Sequence, residues 1–554
     1  MPSSKAGSEV TGGPPAEGKR TTGAATDGMT RRLWRLAWLL ALVTLCSWPG
    51  RLDLLDPDEG RHAEIAREML AEHSFVVPRL QGQPYYHKPV AFHWLAAGSI
   101  ALLGRSSIAP RLPSILAAFV VLAMTGWWAA TAYSSRAAAL AVAGLATTPL
   151  FVAIGRLATV DMLFTAALTA ALAWLGVWYL RPPAQRPSVF PFYFFVGLGT
   201  LVKGPAAIAI CAIVALTIVV HSRSWATFRA LCPIRGGLIV LAVATPWYVA
   251  AYRTDPEYIT TFLLRHNIAR YAGGGHIGHQ QGWLYYPAVL PLALLPWTPV
   301  IAAAAARRLT RGVRTPSDLY AAWWASAVFL FFLPASTRLV TYMLPAFPPL
   351  ICLAARVAED PAWRLRAAGG RVLRRLAAYW CLLVAVLAVA AAGLAAWQSP
   401  ASLLNGWTVL AALLVAAWWW RSHGIASGGM LLAATAAASV AALLVAYSIG
   451  ADLLDSFKST RPAAAIVARQ LPAEADLASY RCFQHALAFY AGRTVRKATT
   501  PEGAVAGIAG EGPAALLTKP KHLPALGLDP LPAGIERRWQ GGPGCVLLWK
   551  DAGR

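Results

Sequence analysis

The feature that most constrains this chain is the repetition of long apolar runs. Stretches of about 18 residues or more with little or no charge recur through its first 450 residues, and each is long enough to span a bilayer. The chain is 57% hydrophobic and only 13% charged, about half the charged share of an ordinary soluble domain. Such a chain does not need one large aqueous core. Lipid covers its outer faces, and helices satisfy their own backbone groups.

About thirteen spans are expected, near 33–50, 112–132, 137–155, 160–180, 188–202, 204–221, 236–252, 284–305, 319–334, 339–355, 375–397, 405–420 and 427–449. The run "VAFHWLAAGSIALLG" at 90–104 is apolar but short, follows a proline and carries His93. It reads as a helix in the membrane interface that does not cross.

Charge supports that reading. The net charge is +24, which admits nucleic-acid binding or the positive-inside rule. With the N-terminus inside, the inner loops are "YSSR", "RPPAQR", "HSRSWATFRALCPIR", "RRLTRGVRTPSD", "RVAEDPAWRLRAAGGRVLRR" and "RSHG", and every one holds arginine. The short outer loops "STR" and "QSPAS" hold one arginine and none. The bases therefore orient the chain, and no nucleic-acid partner is expected. Counting 90–104 as a span would invert everything downstream.

Residues 1–30 are rich in Gly, Ser, Thr, Ala and Pro and read as a disordered cytoplasmic segment. Residues 31–450 form the membrane domain. Residues 451–554 turn polar and alternate helical patterns with short apolar runs such as "AALLT" and "CVLLW", which predicts a small α/β domain on the outer, periplasmic face. Cys482 and Cys545 both lie there, in a compartment that permits a disulfide.

Two longer outer loops, 51–111 and 253–283, mix acids, bases, His and Tyr, the composition of a site more than of a tether. "DPDEGRHAEIAREM" opens the first, with Asp56, Asp58 and Glu59 within four positions ahead of an amphipathic interfacial helix. One Asp suffices as an N-cap, so the remaining carboxylates need a cation, a metal or a function. Further along stand Tyr85, His87 and Lys88 in "GQPYYHKPVAFHW", then Arg156 and Asp161 in "GRLATVDMLF". Asp161 is an acid inside an apolar run, which is costly and marks a functional candidate; capping of the next helix is its plainer explanation. Lys203 in "LVKGPAAI" offers a counter-charge to Asp58 or Asp161. The second outer loop supplies His266 and Arg270, and "STRLVTYMLPAFPPL" supplies Arg338 and Tyr342. Carboxylates and cations on one face of a membrane suit transfer from a lipid phosphate carrier to an outer acceptor: a carboxylate takes a hydroxyl proton, and cations stabilise the leaving phosphate.

These strings, with "PRLPSILA", "RHNIAR" and "LPWTP", run in order over roughly 33–355. In them the chain resembles the polyprenyl-phosphate-dependent glycosyltransferases of the protein O-mannosyltransferase superfamily, and within it the bacterial aminoarabinose transferases that modify lipid A. The resemblance implies an all-α polytopic GT-C fold with a small C-terminal α/β domain, in a bacterial inner membrane with the active site periplasmic. It implies a polyprenyl-phosphate-linked sugar donor and a lipid A, glycan or protein acceptor. It makes Asp58 the catalytic acid residue, supported by Asp161 and Lys203. Lys88, Arg270 and Tyr342 would bind the carrier phosphate, and Tyr85, Asp56, Glu59 and Arg338 would complete the substrate site. Relatives often carry Glu where this chain has His87, a position that can share a divalent metal with a histidine here matching His266; the chemistry does not require the metal. A transporter of lipid-linked sugars is the competing expectation, and it calls for ionisable groups near mid-bilayer in broken helices. Here they cluster at the outer edge.

Overall fold

A computed structural model of the chain describes residues 18–269, 281–359 apart from 312–314 and 336, positions 436, 439, 440, 454 and 455, and 457–551 apart from 483, 484, 511, 542 and 543. The expected spans at 375–397 and 405–420, and nearly all of 427–449, lie outside these residues, as does Arg270.

Helices dominate the first 359 residues. They are α1 (Gly18–Cys46), α2 (Asp58–Ala71), α3 (Ala91–Leu103), α4 (Leu112–Ala132), α5 (Ser135–Ala146), α6 (Pro149–Gly155), α7 (Val160–Leu180), α8 (Phe190–Lys203), α9 (Ala206–Ser222), α10 (Trp225–Ala230), α11 (Pro233–Thr254) and α12 (Pro256–Thr260), with further helices from Tyr285 to Glu359. Among the described residues four helices are long and apolar enough to cross a membrane, and six if two sharply bent pairs each count as one. Both bent pairs fall where the apolar pattern predicts single spans. The first breaks at Thr147–Thr148, before Pro149, with an angle of 69°; the second breaks at 114° between Ala293 and Thr298, around Pro296. Proline lacks the amide proton a helix interior needs and disfavours the helical conformation in the residue before it.

Helix α1 begins at Gly18, inside the segment whose composition predicts disorder to residue 30. No proline follows Pro15 before Pro49, and extending a helix from an apolar run costs far less than nucleating one. Helix α3 has 13 residues, about 20 Å of rise, short of the roughly 30 Å hydrocarbon core.

Helix α2 departs from the expected single apolar stripe. Ala63, Ile65, Ala66 and Met69 are buried, but so are Glu59, His62, Glu64 and Glu68. Ala63 and Ala66 join the main helical core, whereas Ile65 and Met69 pack with Tyr85, Trp247 and Tyr258. The polar positions face protein as well: the helix is enclosed, not laid on lipid. After it, strands β1 (Arg79–Leu80) and β2 (Gln83–Pro84) form a tight hairpin. Gln81 and Gly82 both have positive φ, the signature of a type I′ turn. Glu68 accepts both turn amides, from Gln81 at 2.7 Å and Gly82 at 3.2 Å. That anchor sets where Tyr85, His87 and Lys88 follow.

The C-terminal region holds a five-stranded sheet in the order β4 (Arg496–Ala498), β3 (Asp476–Tyr480), β5 (Ala514–Thr518), β7 (Cys545–Lys550), β6 (Ile535–Gly541). Strands β4, β3 and β5 are parallel, and β7 and β6 complete it antiparallel. Leu477, Ala515, Leu517 and Leu547 pack on one face, and Ala478, Leu516, Val546 and Leu548 on the other. Both faces are covered, so "AALLT" and "CVLLW" read as continuous apolar runs. A disulfide joins Cys482 to Cys545.

Candidate active site

The three clustered carboxylates of the first outer loop go to three different places. Asp58, in the first turn of α2, has a side chain 68% exposed and lies 3.3 Å from Arg61. Glu59 turns inward, where its carboxylate takes a two-pronged contact from Arg111, Nε to Oε1 at 2.8 Å and Nη2 to Oε2 at 2.7 Å. It also accepts the amides of Ala158 at 2.8 Å and Leu55 at 3.1 Å. Arg111 spends its remaining donors on the carbonyls of Pro49, Leu52 and Asp53. Both side chains are 2% exposed. Glu59 is thus a buried clasp between the loop, α4 and the turn before α7, not part of a substrate surface as the sequence led us to expect.

Asp56 does not cap α2, which has no side-chain cap. It accepts the amides of His485 and Ala486, the latter at 3.0 Å, and so caps the helix His485–Ala491 of the C-terminal region. Burial pushes its carboxyl up to about 7, against the lowering effect of those two amides and of Arg61. Gly60 permits the approach: a Cβ there would stand 2.1 Å from Asp56 Oδ1 and 2.6 Å from the Ala486 nitrogen. Asp53 extends the same seam, accepting from Ser459 at 2.6 Å and Arg461 at 3.0 Å. Tyr490 completes it, its hydroxyl accepting the Leu54 amide at 2.9 Å and sharing a hydrogen bond with Ser107. Asp56 is therefore a docking residue, and the expected place for it in the substrate site is corrected.

In the second carboxylate site Lys203, offered as counter-charge to Asp58 or Asp161, pairs with Asp161. Asp161 lies in the first turn of α7 and Lys203 in the last turn of α8, each at the helix end whose dipole favours its charge. Their contact is 2.6 Å, with side chains 15% and 7% exposed. The Lys203 ammonium also sits 4.0 Å from the centroid of Tyr342 and 5.1 Å from that of Phe164, a cation–π arrangement. Lys88 acts electrostatically on Asp161 and on His62, one turn beyond Asp58. The buried His62 contacts His93 at 3.0 Å; burial and the surrounding cations Arg61 and Lys88 hold its imidazole well below its usual range, so it is neutral at pH 7.

Tyr85 is buried and stacks on His87, with ring centroids 4.9 Å apart. His87 in turn meets His266 at 4.1 Å between centroids. The structure thus pairs the two histidines singled out as metal ligands. Among the described residues no group of three His, Cys, Asp or Glu stands ready to hold a metal, and the two histidine rings meet at a tilt of 32° with no third ligand beside them. The described donors do not fit a metal centre, and no step below is routed through one.

Arg338 is buried and donates to the carbonyls of Leu333 and Gln281. Arg156 likewise binds the Thr44 and Ser47 carbonyls at the end of α1. Both brace the backbone, which corrects the expectation of a substrate contact for Arg338. The residue that sequence reasoning missed is Arg111. An arginine at the outer start of a span, where the charge rule disfavours it, was its available signal.

Comparison with known proteins follows the same lines. Residues 87–249 match the family described as dolichyl-phosphate-mannose-protein mannosyltransferase. The chain is 33% identical over 342 residues to the undecaprenyl phosphate-alpha-4-amino-4-deoxy-L-arabinose arabinosyl transferase of Edwardsiella ictaluri, covering 61% of each chain. It is 32% identical over 341 residues to the protein of that name from Serratia proteamaculans, covering 60% of each. The chain thus spans about three fifths of the length of the curated relatives it matches. Among solved structures it is similar to ArnT from Cupriavidus metallidurans bound to undecaprenyl phosphate, at 21% identity and a TM-score of 0.75 over 95% of this chain and 99% of that one. The apo form of the same protein gives 0.74. The chain has the fold of these structures, and the resemblance read from the sequence is borne out.

Proposed function

We propose that this protein is an integral-membrane glycosyltransferase that moves a sugar, 4-amino-4-deoxy-L-arabinose by analogy with its relatives, from undecaprenyl phosphate to lipid A. The names and structures of the relatives support the donor and the sugar. The observation that carries the reading is local: a nearly buried Lys203 ammonium is held between the Asp161 carboxylate and the Tyr342 ring, and Asp58 offers an exposed carboxylate on the first turn of α2. The arginine-rich inner loops support thirteen spans, with both long outer loops and the C-terminal sheet on the periplasmic face of a bacterial inner membrane.

In this reading the acceptor oxygen attacks the anomeric carbon as the bond from that carbon to the phosphate oxygen breaks. One in-line displacement inverts the configuration, and undecaprenyl phosphate leaves with the bond's electron pair. Lys88 and Lys203 bind the carrier phosphate and stabilise the charge it gains; one such preorganised contact is commonly worth about 3 kcal/mol. An ammonium has three N–H groups, so Lys203 can hold Asp161 and still donate to phosphate. Asp161 aims Lys203, and Tyr342 covers it. The resemblance assigns Arg270 of the second outer loop to the carrier phosphate as well. For a hydroxyl acceptor Asp58 takes the proton. For a lipid A phosphate, already ionised, Asp58 instead orients the sugar through its amino group.

The test is reconstitution of the purified chain with undecaprenyl-phosphate-linked aminoarabinose and lipid A, read by mass spectrometry of both. Wild type adds one aminoarabinose to lipid A, and Asp58→Asn lowers the rate by about a hundredfold or more while still binding donor. Full turnover by Asp58→Asn removes Asp58 from the mechanism. Transfer to a periplasmic protein but not to lipid A would favour the alternative that the family description names, a protein acceptor.

A further inference from the structure

The proposed reaction leaves one large apolar cavity unused. Between α8, α9 and α11 runs a cavity of about 450 Å³, within the roughly 300–1,000 Å³ of ligand pockets. Its walls are almost wholly apolar, with Phe192, Val196, Ile208, Ala215, Leu216 and Leu241 among them. Leu216 and Leu241 are also 62% and 58% exposed to the surroundings of the helices. The one hydroxyl in the lining, that of Tyr193, is spent on the Leu231 carbonyl at 2.8 Å. No polar solute fits such walls, but a hydrocarbon chain does.

The inner end of the cavity is rimmed by the short helix α10 and the turn into α11, through Phe228, Leu231 and Pro233. Interleaved with these lining residues are Arg223, Arg229 and Arg235, all exposed. The sequence holds no Asp or Glu between Asp161 and Asp255, so this segment carries no counter-charge of its own. Trp225 is 63% exposed and stacks on Phe228 at 4.6 Å between centroids, and Ile234 is 81% exposed. Aromatic and basic side chains mixed in this way mark the headgroup level of a bilayer, and basic pockets between spans on the cytoplasmic side bind anionic headgroups.

We propose that this cavity binds an anionic glycerophospholipid of the inner leaflet. One acyl chain enters between α8, α9 and α11, and its phosphate is held by Arg223, Arg229 and Arg235. The site is separate from the proposed reaction and rests only on the membrane orientation proposed above. It commits to phospholipid, whose chains and charged headgroup match the apolar groove and the basic rim together.

The test uses the full chain, purified in mild detergent, exchanged into vesicles of phosphatidylethanolamine and phosphatidylglycerol in equal amounts, re-extracted and read by native mass spectrometry. Wild type is expected to retain phosphatidylglycerol over phosphatidylethanolamine by about tenfold or more. The triple variant Arg223→Gln, Arg229→Gln, Arg235→Gln keeps bound lipid but loses that preference. Ala215→Phe, which fills the groove, loses both lipids; should it fail to fold by gel filtration, the triple variant still decides. Equal retention of the two lipids by wild type, an unchanged preference in the triple variant, or recovery of a polyprenyl phosphate in place of phospholipid overturns the proposal. Sugar transfer is assayed in parallel, so failure of the reaction and failure of this site are read separately.

Discussion

At the scale of single residues, three acids that are neighbours in sequence meet three fates because of what surrounds each. Glu59 finds an arginine that is itself saturated by carbonyls. Removing one partner of a buried pair leaves the other charge uncompensated and costs about 3–5 kcal/mol. Arg111→Met or Glu59→Gln should therefore lower the thermal midpoint of the detergent-solubilised protein sharply, where Asp58→Asn leaves it nearly unchanged. Asp56 differs again. Its native carboxyl titrates near 7 against 3.8 for its ordinary value, so between those limits the folded chain keeps a proton that the unfolded chain has lost. Its contribution is full below about 4 and is lost as pH rises toward 7. Amide exchange in residues 485–491 should be slower at pH 5 than at pH 8 after correction for intrinsic rates, and Asp56→Asn should flatten the difference. In the second carboxylate site, Lys203→Met should cost transfer about a hundredfold. That loss should appear with donor concentration saturating if Lys203 acts on the leaving phosphate in the transition state and not merely on binding.

At the scale of elements, the decisive contact is α2 against the helix His485–Ala491. Their approach leaves no room for a methyl group at residue 60, so Gly60→Ala must push the two helices apart. The expected result is a C-terminal region cut more readily by added protease, together with reduced transfer, since Asp58 rides on the first turn of α2. The sheet behind that helix is tied by Cys482–Cys545 across 63 residues of sequence. Closing such a loop is worth about 4 kcal/mol on the chain-entropy account. Reduction, or Cys482→Ser with Cys545→Ser, should lower the unfolding midpoint of the C-terminal sheet while the spectroscopic signal of the membrane helices persists.

At the scale of the whole molecule, what was legible was what local rules control. Apolar runs gave helices, and "AALLT" and "CVLLW" became β5 and most of β7. The Asp161–Lys203 pair was legible in part: a charge inside an apolar run demands an answer, and Lys203 at the end of another run was offered as counter-charge to it or to Asp58. Asp56, Glu59 and Arg338 were not legible. Their partners lie 52 to more than 400 positions away or, for Arg338, on carbonyls that every residue has. Sequence shows that a carboxylate is present but not whether it faces water or a distant amide. Tertiary contact also enclosed α2 in protein where its pattern suggested lipid.

The seam formed by Asp53, Asp56, Gly60 and Tyr490 has a consequence for anyone who would recombine this protein with its relatives. The C-terminal sheet is not an independent cassette. A chimera that replaced residues 457–551 alone would strand Asp53 without Ser459 and Arg461, and would oppose Gly60 to a foreign helix. Swapping residues 53–60 together with the C-terminal region preserves the fit, so the two segments, although about 400 residues apart, must be exchanged as one part.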